Sequence, residues 1–140
     1  MLYFDTSALL PYYRSERHSS AIQRLLQGAT EPVLISDLTR LEFASALSRW
    51  VRMQEIEEAH AQQLSRKLDE DIKANRYRIC LNTREHTELA RQWLLARTTG
   101  LRTLDALHLA CAALENATLI TLDDALVAAA STFGIATHPL

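Results

Sequence analysis

Leu2-Tyr3-Phe4-Asp5-Thr6-Ser7-Ala8-Leu9-Leu10 is the stretch on which the fold turns. A short apolar run ends in a carboxylate, and a helix-starting Thr-Ser pair follows at once. If the run is the first strand of a parallel sheet, Asp5 stands at its carboxyl end, the edge where open α/β sheets bind ligands. Thr6 or Ser7 is the expected cap of the following helix, and Pro11 falls about one turn inside it, where it shortens or kinks the helix.

Outward from this stretch, three further apolar runs read as strands: Val33–Ile35, Tyr77–Leu81 and Thr118–Leu122, with Ile135–Thr137 as a candidate fifth. Helical patterns lie between them, an alternation that predicts βαβ crossovers and a mostly parallel sheet of four or five strands. Ser19–Gln27 carries Ile22, Leu25 and Leu26 and stops at Gly28. Ser36 and Asp37 are alternative caps for a helix from Leu38 to about Met53, with Phe43, Ala46, Leu47, Trp50 and Val51 as its stripe. Glu55–Asn75 is helical but thinly apolar, which suits one side of a projecting hairpin and offers either a solvated face or a partner surface. Thr83–Arg97 is expected to close at Gly100, and Thr103 to cap a helix burying Leu104, Leu107, Cys111 and Leu114. A last helix, Ala125 to about Thr132, ends at Gly134.

The whole chain sets the limits. At 140 residues, 1–140 is expected to be a single domain with a core large enough to need no disulfide staples. Hydrophobic residues at 48% and charged residues at 23% give an ordinary globular balance. No apolar run approaches the roughly 20 residues that span a bilayer, and no basic region precedes a signal-type core, so a cytoplasmic protein without a membrane partner is expected. Cys80 and Cys111 have no CxxC spacing and read as small core thiols in a reducing compartment. A formal charge of −2 disfavours electrostatic coating of nucleic acid and leaves room for a local basic patch.

Four carboxylates stand out by position. Asp5 ends the first strand, Glu42 lies in the first turns of the helix after the second, Asp105 is two residues past Thr103, and Asp123 follows the fourth strand. In a parallel sheet, strand carboxyl ends and the following helix N-termini share one edge, so Asp5 and Asp123 meet there by local grammar and Glu42 lies near it. Asp105 joins only if its helix starts there too. Each acid has a plainer use: Asp5 as a cap, Asp105 facing a helix dipole, Asp123 and Asp124 sharing a cap. Glu42 is harder to dismiss, because it borders the buried stripe through Phe43 and Ala46.

If they converge, a cation is required. Unit charges about 4 Å apart repel by roughly 4 kcal/mol at an effective dielectric of 20. An all-oxygen set suits Mg²⁺ or Mn²⁺ over zinc, and such ions beside a cleft activate water and polarise phosphate for phosphodiester cleavage.

The segments YFDTSALL, LISDLTRLEFASAL around Glu42, LRTLDALHLACA around Asp105 and ATLITLDDAL around Asp123 resemble, in order and spacing, the PIN-domain ribonucleases, in particular the VapC-type toxins of bacterial toxin–antitoxin pairs. The resemblance covers nearly the whole chain. It implies a three-layer α/β/α domain and a Mg²⁺- or Mn²⁺-dependent endoribonuclease cleaving RNA with a metal-bound water. It also implies a homodimer and inhibition by a small cognate antitoxin. By position, Asp5, Glu42, Asp105 and Asp123 are the acidic quartet, with Asp5 and Asp105 as direct metal ligands. Glu42 and Asp123 then bind metal, hold a coordinated water or support the ligands from behind. Thr6 or Ser7 and Thr121 are expected to support them through hydroxyls, and Asp124 is left as a cap. His108, one turn after Asp105, reads as a packed helix residue that could face the site. Arg14, Arg17, Arg40 and Arg102 lie near the active edge by sequence and are candidates for phosphate contact, with ordinary solvated surface as the plainer reading of each. The helix at 55–75, with the one before it, is the expected antitoxin surface.

Other readings fit less well. A haloacid-dehalogenase-like phosphatase, Mg-dependent, needs a second Asp where Ser7 stands and a late lysine. A phosphoreceiver needs that lysine as well, and the chain has only Lys67 and Lys73. A non-catalytic PIN-like module that docks RNA or protein has no use for four mutually repelling acids.

Overall fold

The structure is a computed structural model and describes residues 1–140. Four strands, Leu2–Phe4 (β1), Val33–Ser36 (β2), Tyr77–Cys80 (β3) and Thr118–Ile120 (β4), form one parallel sheet in the order β3-β2-β1-β4. Tyr3 pairs with Leu34 and Leu119, and Ser36 with Cys80. Ile135–Thr137 does not extend the sheet as a full strand. It adds a single parallel bridge, Thr137 to Leu119, held by the Leu119 N–H donating to Ala136 O at 2.8 Å.

Helices Thr6–Tyr13 (α1), Ser19–Gly28 (α2), Asp37–Arg52 (α3) and Glu58–Lys73 (α4) occur before β3. Arg84–Ala96 (α5) and Thr103–Leu114 (α6) follow β3, and Asp124–Thr132 (α7) follows β4. Alternation along each strand divides them into two layers. Phe4, Val33, Ile35, Tyr77 and Ile120 point into a core shared with Leu9, Ile22, Phe43, Leu47, Leu64 and Leu68 from α1 to α4. Tyr3, Leu34, Cys80 and Leu119 point the other way, onto Leu109, Cys111, Leu126 and Ala129 from α6 and α7. This is the expected α/β/α sandwich. The chain steps from β1 to β3 with its helices on one face, then returns to β4 with its helices on the other, as crossovers of one hand require. The reversal of strand order falls between β1 and β4, and a crevice opens at such a switch point. No helix is long and apolar enough to cross a membrane.

Several local expectations are corrected. Asp5, not Thr6 or Ser7, caps α1, and Pro11 sits inside that helix. Ser36 caps α3 through a reciprocal pair with Thr39. The chain turns at Gln54 (φ 59°) before α4, which therefore starts at Glu58 rather than Glu55. Arg97 (φ 53°) closes α5 in the left-handed conformation in place of Gly100. Thr103 is the first residue of α6, and Arg102 holds the cap position without a side-chain bond.

The buried face of α6 also differs. Leu104 and Leu114 are exposed, while Ala106, His108, Leu109, Ala110, Cys111 and Ala112 are buried. Small side chains let α5 approach closely: Ala90 meets Ala106 and Ala110, with Trp93 and Leu94 at their flank. Of the four residues expected on the buried face, Cys111 is buried and Leu107 half-buried against this cluster, while Leu104 and Leu114 fall outside it because the contact is made by alanines.

Candidate active site

β1 ends at the switch point, so Asp5 is delivered into the crevice beside the end of β4. It is 4% exposed. Its Oδ1 accepts from the Ala8 N–H at 2.9 Å and from Ser7 Oγ at 2.7 Å; its Oδ2 accepts from Thr121 Oγ1 at 2.6 Å. Ser7 Oγ in turn accepts the Leu122 N–H at 2.9 Å, and Thr121 Oγ1 accepts the Asp123 N–H at 3.1 Å. These bonds tie the ends of β1 and β4 together around one carboxylate. Burial pushes the Asp5 carboxyl up, and it stays above its ordinary value despite Thr121, the charge of His108, Ser7 and the Ala8 N–H.

Glu42 is half-buried on α3. Its Oε1 accepts from Thr6 Oγ1 at 2.7 Å and from His108 Nε2 at 2.5 Å. The other ring nitrogen, Nδ1, meets the Tyr3 hydroxyl at 2.6 Å. Burial alone pushes Glu42 up, but the His108 hydrogen bond and charge, with the Thr6 hydroxyl, hold it below the ordinary carboxylate value. Burial opposes charging His108, yet the Glu42 hydrogen bond and charge, with Asp5, raise it above the usual imidazole value.

Asp105 enters from the first turn of α6. No protein donor reaches it. Burial first, then the charges of Asp123 and Glu42, push its carboxyl up, against His108 and Arg102. Asp123 caps α7, its Oδ1 accepting from the Ala125 and Leu126 N–H groups. The four acids line one rim without closing on one another: the charges of Asp123 and Glu42 act on Asp105, and Asp5 feels the charge of the His108 that Glu42 binds, but no three of the four bring an oxygen within 4.8 Å of one another. Asp124 is exposed at the first position of α7 and is not the cap expected of it.

A carboxylate oxygen accepts about two hydrogen bonds. On that count Asp5 Oδ1, Glu42 Oε1 and Asp123 Oδ1 are filled, whereas Asp5 Oδ2 keeps one place and Glu42 Oε2, Asp123 Oδ2 and both Asp105 oxygens are open. Glu42 and Asp123 are each anchored by one oxygen and keep the other open, Asp105 is held only by its helical turn, and Asp5 is anchored through both oxygens with one place left on Oδ2. This all-oxygen donor set fits a hard divalent cation.

The three hydroxyls expected beside the acids are placed there: Thr6 on Glu42, Ser7 and Thr121 on Asp5. Thr121→Val removes a donor to a buried carboxylate and an acceptor for the Asp123 N–H. The expected loss is about 2 kcal/mol of stability, measured by urea unfolding, whereas Thr121→Ser keeps both bonds and most of it.

His108 is packed, as expected, at 2% exposed, but it is also joined to the site through Glu42. Tyr3 is its partner, and nothing in the first strand's apolar pattern marked it beyond its being a tyrosine whose buried hydroxyl needs a bond. Of the arginines, Arg14 lies over the Trp50 ring at 4.4 Å and pairs with Glu55; Arg40 pairs with Asp37. Arg102 adjoins Asp105 electrostatically, and Arg17 lines a cavity with Thr121 and Asp124. Beside Ser7 and Leu122 a second cavity of about 370 Å³ runs between Leu10, Pro11, Arg14 and Trp50.

The model of the PIN-domain family matches residues 2–131. No curated protein sequence matches the chain. Among solved structures, it is similar to FitAcB from Neisseria gonorrhoeae, at 17% identity and a TM-score of 0.77, covering 99% of this chain and 97% of that one. VapC20 from Mycobacterium tuberculosis, described as a toxin that cleaves the sarcin-ricin loop, gives 18%, 0.72, and coverage of 92% and 95%. A toxin–antitoxin complex from Klebsiella pneumoniae gives 20%, 0.64, and coverage of 88% and 87%. At such identities the likeness is one of fold.

Proposed function

The chain belongs to the PIN-domain family, and from that premise we propose that it is a divalent-metal-dependent endoribonuclease, the toxin of a toxin–antitoxin pair. The observation that carries this is the set of open carboxylate oxygens at the switch-point rim. Asp105 has no protein donor, and burial with the charges of Asp123 and Glu42 raises its carboxyl, a penalty that a bound cation would offset.

Asp5 and Asp105 would be the principal ligands of Mg²⁺ or Mn²⁺, with the open Glu42 Oε2 and Asp123 Oδ2 as further ligands or as acceptors for coordinated water. Bound there, the ion supplies Lewis-acid polarisation of the phosphodiester and a water of lowered pKa. The protein's own part is positioning. Thr121 and Ser7 hold the Asp5 carboxylate in one orientation, and Thr6 and His108 do the same for Glu42. The Asp123 side chain is fixed by two backbone N–H groups of α7. The cavity along Arg14 and Trp50, which meets the acids through Ser7, is the proposed place for an RNA strand.

Among structures of this fold, one is described as a sarcin-ricin loop cleaving toxin and another as a toxin–antitoxin complex, which supports the same role and a protein antitoxin as partner. The α3–α4 hairpin is the proposed docking surface. It carries a groove of about 250 Å³ between Ala44, Leu47, Val51 and Ala61, with Leu41 and Met53 exposed on or beside α3. Assembly as a homodimer and a cytoplasmic setting belong to the same proposal.

The test is thermal melting in chelator and in millimolar Mg²⁺ or Mn²⁺, followed by incubation with RNA. A cation held at about 100 times its dissociation constant stabilises by about 2.7 kcal/mol, a rise of roughly 10 °C for a domain of this size. Asp5→Asn is expected to abolish that rise. An unmoved melting curve with intact RNA would sink the nuclease and leave a PIN-like binding module.

A further inference from the structure

We propose that Cys80, His86 and Cys111 form a second metal site, distinct from the acid rim, that takes a borderline-soft divalent cation of the zinc class. Their ligand atoms, the two Sγ and an imidazole nitrogen, all lie within 4.8 Å of one another, and all three residues are buried. The residues come from three elements: Cys80 ends β3, His86 lies six positions on in the first turn of α5, and Cys111 is in the last turn of α6. Both cysteines are free.

The donor chemistry separates this site from the first. Two thiolates and an imidazole favour zinc or cobalt over magnesium, and such ligands at about 2.3 Å (sulfur) and about 2.0 Å (nitrogen) from one ion stand roughly 3.5–4 Å apart in a tetrahedron. His86 Nε2 is already 3.5 Å from Cys80 Sγ. The three groups therefore need to close by little to hold an ion, with water or the neighbouring Asn82 amide, whose nitrogen is 3.4 Å from Cys111 Sγ, at the fourth position.

The second nitrogen of His86 is held ready. In the metal-free protein Nδ1 accepts the Thr83 N–H at 3.1 Å, which leaves the ring proton on Nε2 facing Cys80. Metal binding would move that proton to Nδ1, where Thr83 Oγ1 stands at 2.8 Å as its acceptor. A ligating histidine that donates its other N–H to an oxygen is the usual arrangement around zinc. Protons balance: each thiol releases one to solvent on ligation, and the imidazole only exchanges tautomers. The ion would pin the end of β3 to α5 and α6, the helix that carries Asp105 and His108.

Cobalt reads the site directly. Titrating the reduced, chelator-stripped protein with Co²⁺ is expected to give a thiolate-to-metal charge-transfer band and tetrahedral ligand-field bands that saturate at one equivalent and vanish on adding zinc. Asp105→Asn should keep these bands; Cys111→Ser and His86→Gln should lose or markedly weaken them. Zinc, unlike Mg²⁺, should also protect both thiols of the unmutated protein from maleimide, which tests the site even if a core variant fails to fold. Absence of the charge-transfer band together with equal maleimide labelling in zinc and Mg²⁺ would overturn the proposal. So would bands that survive Cys111→Ser in a folded protein, or thiols that zinc leaves unbound but a mild oxidant joins as a disulfide.

Discussion

Asp105→Asn is expected to lower RNA cleavage about 10³-fold while leaving the metal-free protein as stable as before or slightly more so. The two effects separate because of how Asp105 sits. No protein group donates to it, so the amide loses no hydrogen bond. Its charge stands against Asp123 and Glu42, so removing it relieves repulsion. Its carboxyl is raised in the folded protein: protonation favours the fold, and that contribution is lost as pH rises through the folded pKa. At neutral pH in chelator the asparagine therefore costs nothing. With Mg²⁺ or Mn²⁺ present the order reverses, since the variant has lost a ligand. The measurements are initial cleavage rates on a structured RNA and melting curves with and without the ion. Cleavage within about tenfold of the unmutated protein would remove Asp105 from the proposed ligand set.

The second large effect is on the fold. His108→Ala should cost about 3 kcal/mol, roughly 10 °C in melting temperature, because it opens a cavity and strands two polar partners. His108 is 2% exposed and bridges the Tyr3 hydroxyl to Glu42. Tyr3→Phe removes only the hydroxyl end of the chain and should cost about 1 kcal/mol.

The His108–Glu42 pair also sets a pH dependence in metal-free protein. The folded pKa of His108 is raised, so its contribution is complete below the unfolded value of about 6.5 and fades as pH rises through the folded one. That of Glu42 is lowered, so its contribution is complete above about 4.3 and fades as pH falls through the folded value. The stability difference between the unmutated protein and His108→Ala should thus be largest between about pH 4.5 and about pH 6.5 and shrink toward alkaline pH. Urea titrations in chelator across this range provide the check. A difference that stays flat to about pH 9 would mean that His108 acts by packing and neutral hydrogen bonding alone.

Much of the fold was legible in the chain because its signals are local. β1 and β2 were found within a residue of their ends, and the βαβ alternation gave the sheet and its layers. Asp5 and Asp123 could be placed on one edge because Asp5 directly follows β1 and Asp123 comes soon after β4, which ends at Ile120 rather than at Leu122, and strand ends of a parallel sheet share an edge whatever the packing. The misjudged features were of another kind. The buried face of α6 followed its alanines, which carry little periodic signal, and the cap of α1 fell on Asp5 rather than on Thr6 or Ser7.

What the sequence by itself determined is the order of elements, the parallel sheet and two corners of the acid rim, since these follow from propensity and alternation over a few residues. Tertiary structure alone decided that Asp105 joins them, that His108 meets Tyr3 across 105 positions and Glu42 across 66, and that Cys80, His86 and Cys111 converge. The physical reason is that helix position and rotation on a sheet are chosen by close packing of whole faces. A hydrogen bond or a ligand set between distant residues exists only after that choice has been made.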